Sequence, residues 1–269
     1  MTYIKPDQGP FSKINNNIMW TSSIPTATVA QTNTPNLGAA FKPKKAGKHT
    51  SHIVFLLDDS GSMQSCRDQT ISGFNEFLDG QIQDAKDTGI KTFVSLYKFD
   101  GSSLNSVFDH MDVNEVQKLS RKNYNPRGGT NLLDAMGGVM MKINMLLSET
   151  KKDKRESVII VALTDGEENS SRTFRNDDIK QMVEKAEAKN WGFMFLGANV
   201  DAFAVGAQFG FSHHNTMQYD TANMGATMRS ASAMSSRMKT AYAGGMDTNL
   251  AYASSAFTDV ERDVSGGGE

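Results

Sequence analysis

The chain has 269 residues, 38% of them hydrophobic, which is enough for one substantial core and some additional segments. Its 28 lysines and arginines nearly balance 30 aspartates and glutamates, so it lacks the broad basic surface that draws proteins onto nucleic acid or anionic membranes. No stretch has the length of a membrane span, no secretory pattern is visible, and the single cysteine excludes an internal disulfide, so we expect a cytoplasmic protein.

Composition divides the chain into three parts. Residues 1–48 are rich in Asn, Thr, Ser and Pro without helical or strand periodicity, which predicts a flexible polar arm. Residues 49–245 alternate short apolar runs with helical patterns, which predicts one folded domain. Residues 246–269 are rich in Ala, Ser and Gly, which predicts a C-terminal tail.

The apolar runs of the domain predict a central sheet. Four runs are strand candidates, and three of them are as dense in Val, Ile, Leu and Phe as strands covered on both faces should be: Ile53 to Leu57, Thr92 to Phe99, Ser157 to Leu163 and Gly192 to Leu196. Leu104 to Phe108 follows an Asp-Gly pair, which predicts a hairpin and an antiparallel edge strand. A last edge strand is predicted to begin at Met217 to Tyr219.

Helical periodicity separates these strands. Apolar residues recur every three or four positions from Ile71 to Ile82, from Leu132 to Leu147 and from Ile179 to Ala186, and Asp201 to Gln208 predicts a short helix. A stripe of methionines from Met224 to Met238 predicts a last helix packed on the core. We therefore predict an α/β fold with a mainly parallel sheet, one antiparallel edge strand and helices on both faces.

Polar residues follow three separate elements of this predicted sheet. Asp58, Ser60 and Ser62 lie just after the first strand, Thr130 lies at the start of the Leu132 helix, and Asp165 follows the Ser157 strand. In an open parallel sheet such positions converge on one crevice beyond the carboxyl ends of the strands. All five side chains offer oxygen ligands, which suit Mg²⁺, with Mn²⁺ or Ca²⁺ as alternatives, better than zinc.

At these residues the chain resembles the von Willebrand factor A family, and bacterial and bacteriophage single-domain members look most similar. The family's metal ion-dependent adhesion site is written Asp-x-Ser-x-Ser, with a distant Thr and a distant Asp. Asp58, Ser60, Ser62, Thr130 in "GGTNLLDAM" and Asp165 in "LTDGEEN" match all five positions. The resemblance implies a Rossmann-like fold in which the hydroxyls bind the ion directly or nearly so, while the aspartates often act through water.

The resemblance also implies a function. Neutral hydroxyl ligands leave a divalent ion short of negative partners, so an Asp or Glu presented by a partner protein can complete its shell. We therefore expect a Mg²⁺-dependent protein-binding module, acting as an adaptor or assembly factor rather than an enzyme. No nucleic acid or membrane partner is expected.

Two other functions are compatible with parts of the sequence. A structural subunit of an assembly, such as a phage particle in which copies bind one another, would explain the polar arm and would place the protein in a virion. A haloacid dehalogenase-like phosphatase also begins with a strand that ends in aspartate, but its chemistry needs a second carboxylate two residues later, where this chain has Ser60.

Simpler interpretations apply to individual residues. Ser60, Ser62 and Thr130 could cap the helices that follow them. Asp59 is expected to be an exposed acid, Cys66 a small buried residue, and the pair His213 and His214 ordinary loop residues.

Overall fold

In the computed structural model, the described residues are 49–149 and 156–266. The predicted polar arm, residues 1–48, lies outside them, as do the last three residues of the chain. The division into arm, domain and tail therefore stays a prediction.

Six strands form one mixed sheet in the order β3-β2-β1-β4-β5-β6. The strands are β1 (Thr50–Asp58), β2 (Lys91–Phe99), β3 (Leu104–Asp112), β4 (Ser157–Thr164), β5 (Trp191–Gly197) and β6 (Thr216–Gln218). Only β3 runs antiparallel to its neighbour, and the other four pairings are parallel. The predicted mainly parallel sheet with one antiparallel edge strand is confirmed.

Seven helices surround this sheet in the described part of the chain. They are α1 (Arg67–Thr88), α2 (Leu132–Ser148), α3 (Asn176–Glu187), α4 (Ala202–Gln208), α5 (Met224–Ala243), α6 (Thr248–Ser255) and α7 (Asp259–Ser265). None of the helices of residues 49–149 and 156–266 has both the length and the apolar character needed to cross a bilayer.

The core has two layers, one on each face of the sheet. Phe55 and Leu57 of β1 point into a cluster with α1, α5 and α6, whereas Val54 and Leu56 point into a cluster with α2, α3 and α4. Successive side chains of a strand alternate between faces, and both faces are covered here, so β1 is apolar at every position from Ile53 to Leu57. The prediction of helices on both faces is confirmed.

The methionine stripe of α5 belongs to the core. Met224, Met228, Met234 and Met238 are fully buried and belong to the cluster that also contains α1. Unbranched methionine side chains fill irregular gaps between two packed helices and a sheet. The prediction that this stripe packs on the core is confirmed.

Two helices, α6 and α7, lie within residues 246–269, for which composition predicts a tail. Tyr252 of α6 is buried and its hydroxyl donates a hydrogen bond to Glu187, and Thr258 caps α7 by accepting from the Glu261 N–H. The average composition of this segment is only weakly apolar and does not indicate helices. Its structure depends on these few anchoring residues.

Candidate functional site

The predicted site lies at the point in the sheet where the order of successive strands reverses, between β1 and β4. β1 pairs with β2 on one side and with β4 on the other, so the connections from β1 and β4 leave the sheet in opposite directions. Such a switch point opens a crevice beyond the carboxyl ends of the two strands. Asp58 is the last residue of β1, and Asp165 directly follows β4.

The loop after β1 brings its oxygens to the loop after β4. The Ser60 and Ser62 hydroxyl oxygens are 3.0 Å apart, and the Ser62 hydroxyl donates to Asp165 Oδ1 at 2.6 Å. Asp58 accepts from the Ser60 N–H at 2.7 Å through Oδ1 and from the Thr164 hydroxyl at 2.6 Å through Oδ2. Four of the five predicted ligands therefore belong to one hydrogen-bonded group.

The loop before α2 is joined to the loop after β1 through main-chain hydrogen bonds. The Arg127 N–H donates to the Asp59 carbonyl at 2.6 Å, and the Gly61 N–H donates to the Gly128 carbonyl at 3.0 Å. Gly128 has a φ of 77°, a left-handed conformation that glycine adopts without strain. This glycine allows the chain to turn towards Thr130 while its carbonyl faces the first loop.

Thr130 is held by the loop after β4. Its carbonyl accepts from the N–H groups of Asn169 and Ser170, both at 3.0 Å, and its own N–H donates to Asn169 Oδ1 at 2.9 Å. A Cβ placed on Gly166 would lie 3.5 Å from Thr130 Oγ1 and 3.2 Å from Ser62 Oγ. The Thr130 hydroxyl is therefore close to the same group of oxygens, and the structure brings together all five predicted residues.

The three hydroxyls do not act as helix caps. Ser60 precedes a 3₁₀ turn (Gly61–Cys66), but its side chain makes no capping hydrogen bond. The residue at the start of α2 is Asn131 rather than Thr130, and it too makes no side-chain cap. The hydroxyls therefore face the crevice without the usual structural task of serine and threonine at these positions.

The site is buried on one side and negatively charged. Asp58, Ser60, Thr130 and Asp165 are at most 3% exposed, whereas Ser62 is exposed, so the group opens to solvent at Ser62. Burial raises the pKa of Asp58 to about 6 and also raises that of Asp165, although hydrogen bonds partly oppose both shifts. Among the described residues, neither carboxylate forms a salt bridge with lysine or arginine. A bound cation would relieve this destabilisation.

Asp59 corrects one expectation. It is buried rather than exposed, its Oδ2 lies 2.6 Å from Lys98 Nζ, and its Oδ1 accepts from the Asn125 N–H. Its position between Asp58 and Ser60 turns it to the opposite side of the chain, where it anchors the loop before α2. Asp59 is therefore a structural residue of the site's frame.

Sequence reasoning missed several residues that hold the ligands. Thr164 orients Asp58, and Asn169 holds Thr130. Glu168 accepts hydrogen bonds from Ser170, Ser171 and Leu133, which ties the loop after β4 to α2. These residues follow Leu163 closely in sequence, but nothing in their spacing distinguishes them from ordinary turn residues.

The remaining expected residues take no part in the site. Cys66 is buried, its thiol donates to the Met63 carbonyl, and burial raises its pKa, as in an unreactive cysteine. His213 and His214 are exposed in a short 3₁₀ turn.

Comparison with known proteins gives one family and a common fold. The family model described as von Willebrand factor type A domain matches residues 52–243. No curated protein sequence matches the chain.

Solved structures with the same kind of fold are distant in sequence. Proximal thread matrix protein 1 from the mussel byssus is 12% identical over 70% of this chain and 49% of its own, with a TM-score of 0.51. This chain therefore spans about half the length of that protein, and the likeness concerns the fold. The manganese-loaded TRAP protein of Plasmodium vivax is 18% identical over 66% of this chain and 72% of its own, with a TM-score of 0.44. The VWA domain of SpRpn10 is 11% identical over 61% and 84%, with a TM-score of 0.39.

Proposed function

Because this chain belongs to the von Willebrand factor type A domain family, we propose that it is a metal-dependent protein-binding module. Domains of this family are generally interaction modules rather than enzymes, and they commonly bind divalent metal ions. In our proposal, a Mg²⁺ ion binds the oxygens beyond β1 and β4, and an acidic side chain of a partner protein completes its coordination.

The observation that carries this proposal is the convergence of oxygens from three loops. Ser60, Ser62 and Asp165 are linked by contacts of 3.0 and 2.6 Å although more than a hundred residues separate the first two from the third. Thr130 Oγ1 lies beside the same group. Capping or turn formation at each loop requires no such meeting, whereas one shared ion does.

The donor set fits a hard divalent ion. Ser60, Ser62 and Thr130 would supply hydroxyl oxygens, and Asp58 and Asp165 would supply charge. Both Asp58 oxygens already accept protein hydrogen bonds, which favours an indirect role through water. Five oxygen donors without a nitrogen or sulfur donor favour Mg²⁺, with Mn²⁺ and Ca²⁺ as alternatives, over zinc.

A partner carboxylate is the natural completion of such a site. The nearest neutral ligands leave part of the ion's charge unbalanced, and the exposed Ser62 marks the side from which an external oxygen can approach. A glutamate or aspartate of another protein would then bind only when the ion is present. This dependence suits an adaptor or assembly factor whose contact requires metal.

The alternatives are weaker. The structural role in a phage particle gains no support from the fold or from the comparisons. A phosphatase of the haloacid dehalogenase type would need an acidic residue where Ser60 lies, and Ser60 contacts Ser62 instead of a second carboxylate.

Metal binding and partner binding can be tested one after the other. Isothermal titration calorimetry of the metal-free protein should show Mn²⁺ binding. The double variant Ser60→Ala with Ser62→Ala should bind Mn²⁺ at least about tenfold more weakly, because two direct ligands are lost. Ser72→Ala removes an exposed hydroxyl of α1 and serves as the control. Equal affinity in the double variant would contradict the site.

Partner capture from the native host then tests the function. We expect proteins that are retained with Mg²⁺, released by EDTA and absent from the Ser60→Ala, Ser62→Ala sample, but retained by the Ser72→Ala control. The retained protein should lose binding when its contacting acidic residue is changed to the amide. Recovery that is the same in all samples would reject a metal-dependent module.

A further inference from the structure

A second group of side chains that could bind a metal lies at the other end of the strands from the first site, near the amino ends of β1 and β4. His52 belongs to β1, His110 to β3, and Glu156 directly precedes β4. One ligand atom from each residue lies within 4.8 Å of those of the other two. No prediction from the sequence and no step of the proposed function uses these residues.

The three side chains meet at distances that suit one small ion. His110 Nε2 is 2.9 and 3.0 Å from the two Glu156 oxygens, and His52 Nδ1 is 3.8 Å from Glu156 Oε2. Ligands about 2.0–2.1 Å from a tetrahedral Zn²⁺ lie about 3.3 Å from one another. The separations from Glu156 bracket this value, and the two histidines offer ligand atoms within 4.8 Å of each other, so side-chain adjustments of up to about 1.5 Å would complete the coordination.

The hydrogen bonds around His52 show that its Nδ1 atom carries no proton and has a lone pair free to accept. The Ser95 hydroxyl donates its only proton to Asp109 Oδ1 at 3.0 Å and accepts from the His110 N–H at 2.8 Å. The contact of 2.8 Å between His52 Nε2 and Ser95 Oγ therefore requires the proton on Nε2. Nδ1 of the neutral ring is then an acceptor, which is the form that binds a metal.

This lone pair has no partner in the part of the chain that the structure describes. His52 is fully buried, and its Nδ1 accepts no hydrogen bond there. It faces a carboxylate oxygen of Glu156, which is also an acceptor, with no proton between them. A cation would satisfy both acceptors at once.

The surroundings of His52 resemble the support of a metal-binding histidine. Metal ligands of this type usually donate their second ring N–H to a group that fixes the ring, often in a chain that ends at a carboxylate. Here the Ser95 hydroxyl accepts that N–H and in turn donates a hydrogen bond to Asp109. Asp109 is itself fixed by the Tyr97 hydroxyl and by Lys142, both at 2.6 Å.

The backbone of His110 is held in an unusual conformation at the same place. Its φ of 47° is in the left-handed region, which residues other than glycine seldom adopt. The pairing of β2 with β3 shifts register beside it, between Val94 and Leu96, and the ring stacks on Phe93 with centroids 4.1 Å apart. Irregular strand geometry of this kind often aims a side chain at a functional site.

We propose that His52, His110 and Glu156 form a Zn²⁺ site. The ligand atoms are His52 Nδ1, His110 Nε2 and a Glu156 carboxylate oxygen, and one coordination position is left for water. Two imidazole nitrogens favour Zn²⁺ over Mg²⁺ at this edge, whereas the oxygens beyond the carboxyl ends of the strands have the opposite preference.

Zinc titration of the full chain tests this site. The metal-free protein, in excess Mg²⁺, is titrated with Zn²⁺ against a chromogenic chelator. We expect one tightly bound Zn²⁺ per chain, and at least about 100-fold weaker binding in His110→Gln and in Glu156→Gln. Ser95→Ala removes no ligand, but it removes the hydroxyl that supports His52 and accepts from the His110 N–H, and it should weaken binding about 10- to 100-fold. His110 and Glu156 are partly exposed, so these variants should fold, and circular dichroism checks this.

Two controls separate this site from other sources of binding. His214→Gln removes an exposed histidine and should leave Zn²⁺ affinity unchanged. The double variant Ser60→Ala with Ser62→Ala should also retain Zn²⁺ binding, so a failure of the proposed Mg²⁺ site leaves this result intact. Co²⁺ in place of Zn²⁺ should give the strong visible absorption of a four-coordinate ion.

Either of two results would overturn the proposal. One is the absence of a stoichiometric Zn²⁺ ion in the wild-type chain. The other is unchanged Zn²⁺ affinity in His110→Gln and Glu156→Gln, which would leave only an ion pair between these two residues.

Discussion

Replacing Asp58 with asparagine should stabilise the metal-free protein, although Asp58 belongs to the proposed Mg²⁺ site. Asp58 is fully buried, and burial raises its pKa from 3.8 to about 6. Asparagine keeps the acceptor for the Ser60 N–H. Its N–H can donate to Thr164, whose hydroxyl then donates to the Gly166 carbonyl, already 3.1 Å away. The variant therefore removes a buried charge and keeps its hydrogen bonds.

The magnitude follows from the shifted pKa. A rise from 3.8 to about 6 corresponds to about 3 kcal/mol of folding free energy lost at neutral pH, at about 1.36 kcal/mol per pKa unit. We expect Asp58→Asn to regain about 1–3 kcal/mol in EDTA at pH 8, since the substitution is imperfect. Because the folded pKa is raised, wild-type stability increases as pH falls through 6 towards 3.8, and the advantage of the variant disappears there.

Urea unfolding in EDTA between pH 4 and pH 8 measures this difference. Excess Mg²⁺ should then stabilise the wild type by about 2.7 kcal/mol at 100 times its Kd, but should leave Asp58→Asn nearly unchanged. Asp59→Asn is the matched control with the opposite sign, because it breaks the contact of Asp59 with Lys98. If Asp58→Asn is less stable than the wild type in EDTA at pH 8, burial of this carboxylate does not destabilise the fold.

Three further substitutions have definite expected outcomes. Gly166→Ala places a Cβ 3.2 Å from Ser62 Oγ, so calorimetry should show weaker Mn²⁺ binding with a change in unfolding free energy below about 1 kcal/mol. Asp84→Leu leaves fully buried Lys239 without its partner 2.5 Å away and should cost about 3–5 kcal/mol in urea unfolding, most of which Lys239→Met added to Asp84→Leu should restore. Burial acts to raise the pKa of Glu261, but Arg237 outweighs it and the net pKa is lowered. The loss of about 1 kcal/mol in Glu261→Gln should therefore appear above pH 4.5 and vanish as pH falls through the lowered pKa.

The fold could be predicted because buried strands and helices leave different apolar patterns. β1 and β4 are covered on both faces and read as continuous apolar runs, and α5 shows its buried side as a methionine stripe. The helices α6 and α7 left no such pattern. They are short and depend on a few anchors, such as the Tyr252 hydroxyl, which donates to Glu187 and accepts from the Phe193 N–H.

The proposed ion site could be predicted for a different reason. Its ligands fall in short motifs, and the parallel sheet brings the ends of β1 and β4 together whatever the intervening sequence. The residues that orient the ligands could not be predicted in the same way. Asp59 looked like a solvated acid because its partner Lys98 lies 39 positions away on β2, and only the pairing of the two strands brings them into contact.

The group of His52, His110 and Glu156 could not be predicted from any short motif in the sequence. Its members are separated by 58 and 46 positions, and the antiparallel direction of β3 is what returns His110 to the edge where β1 begins. A wholly parallel sheet would carry that side chain to the opposite edge, beside the aspartates. The one reversed strand therefore places the two histidines of the proposed Zn²⁺ site at one end of the strands, while the hydroxyls and aspartates of the proposed Mg²⁺ site lie at the other end.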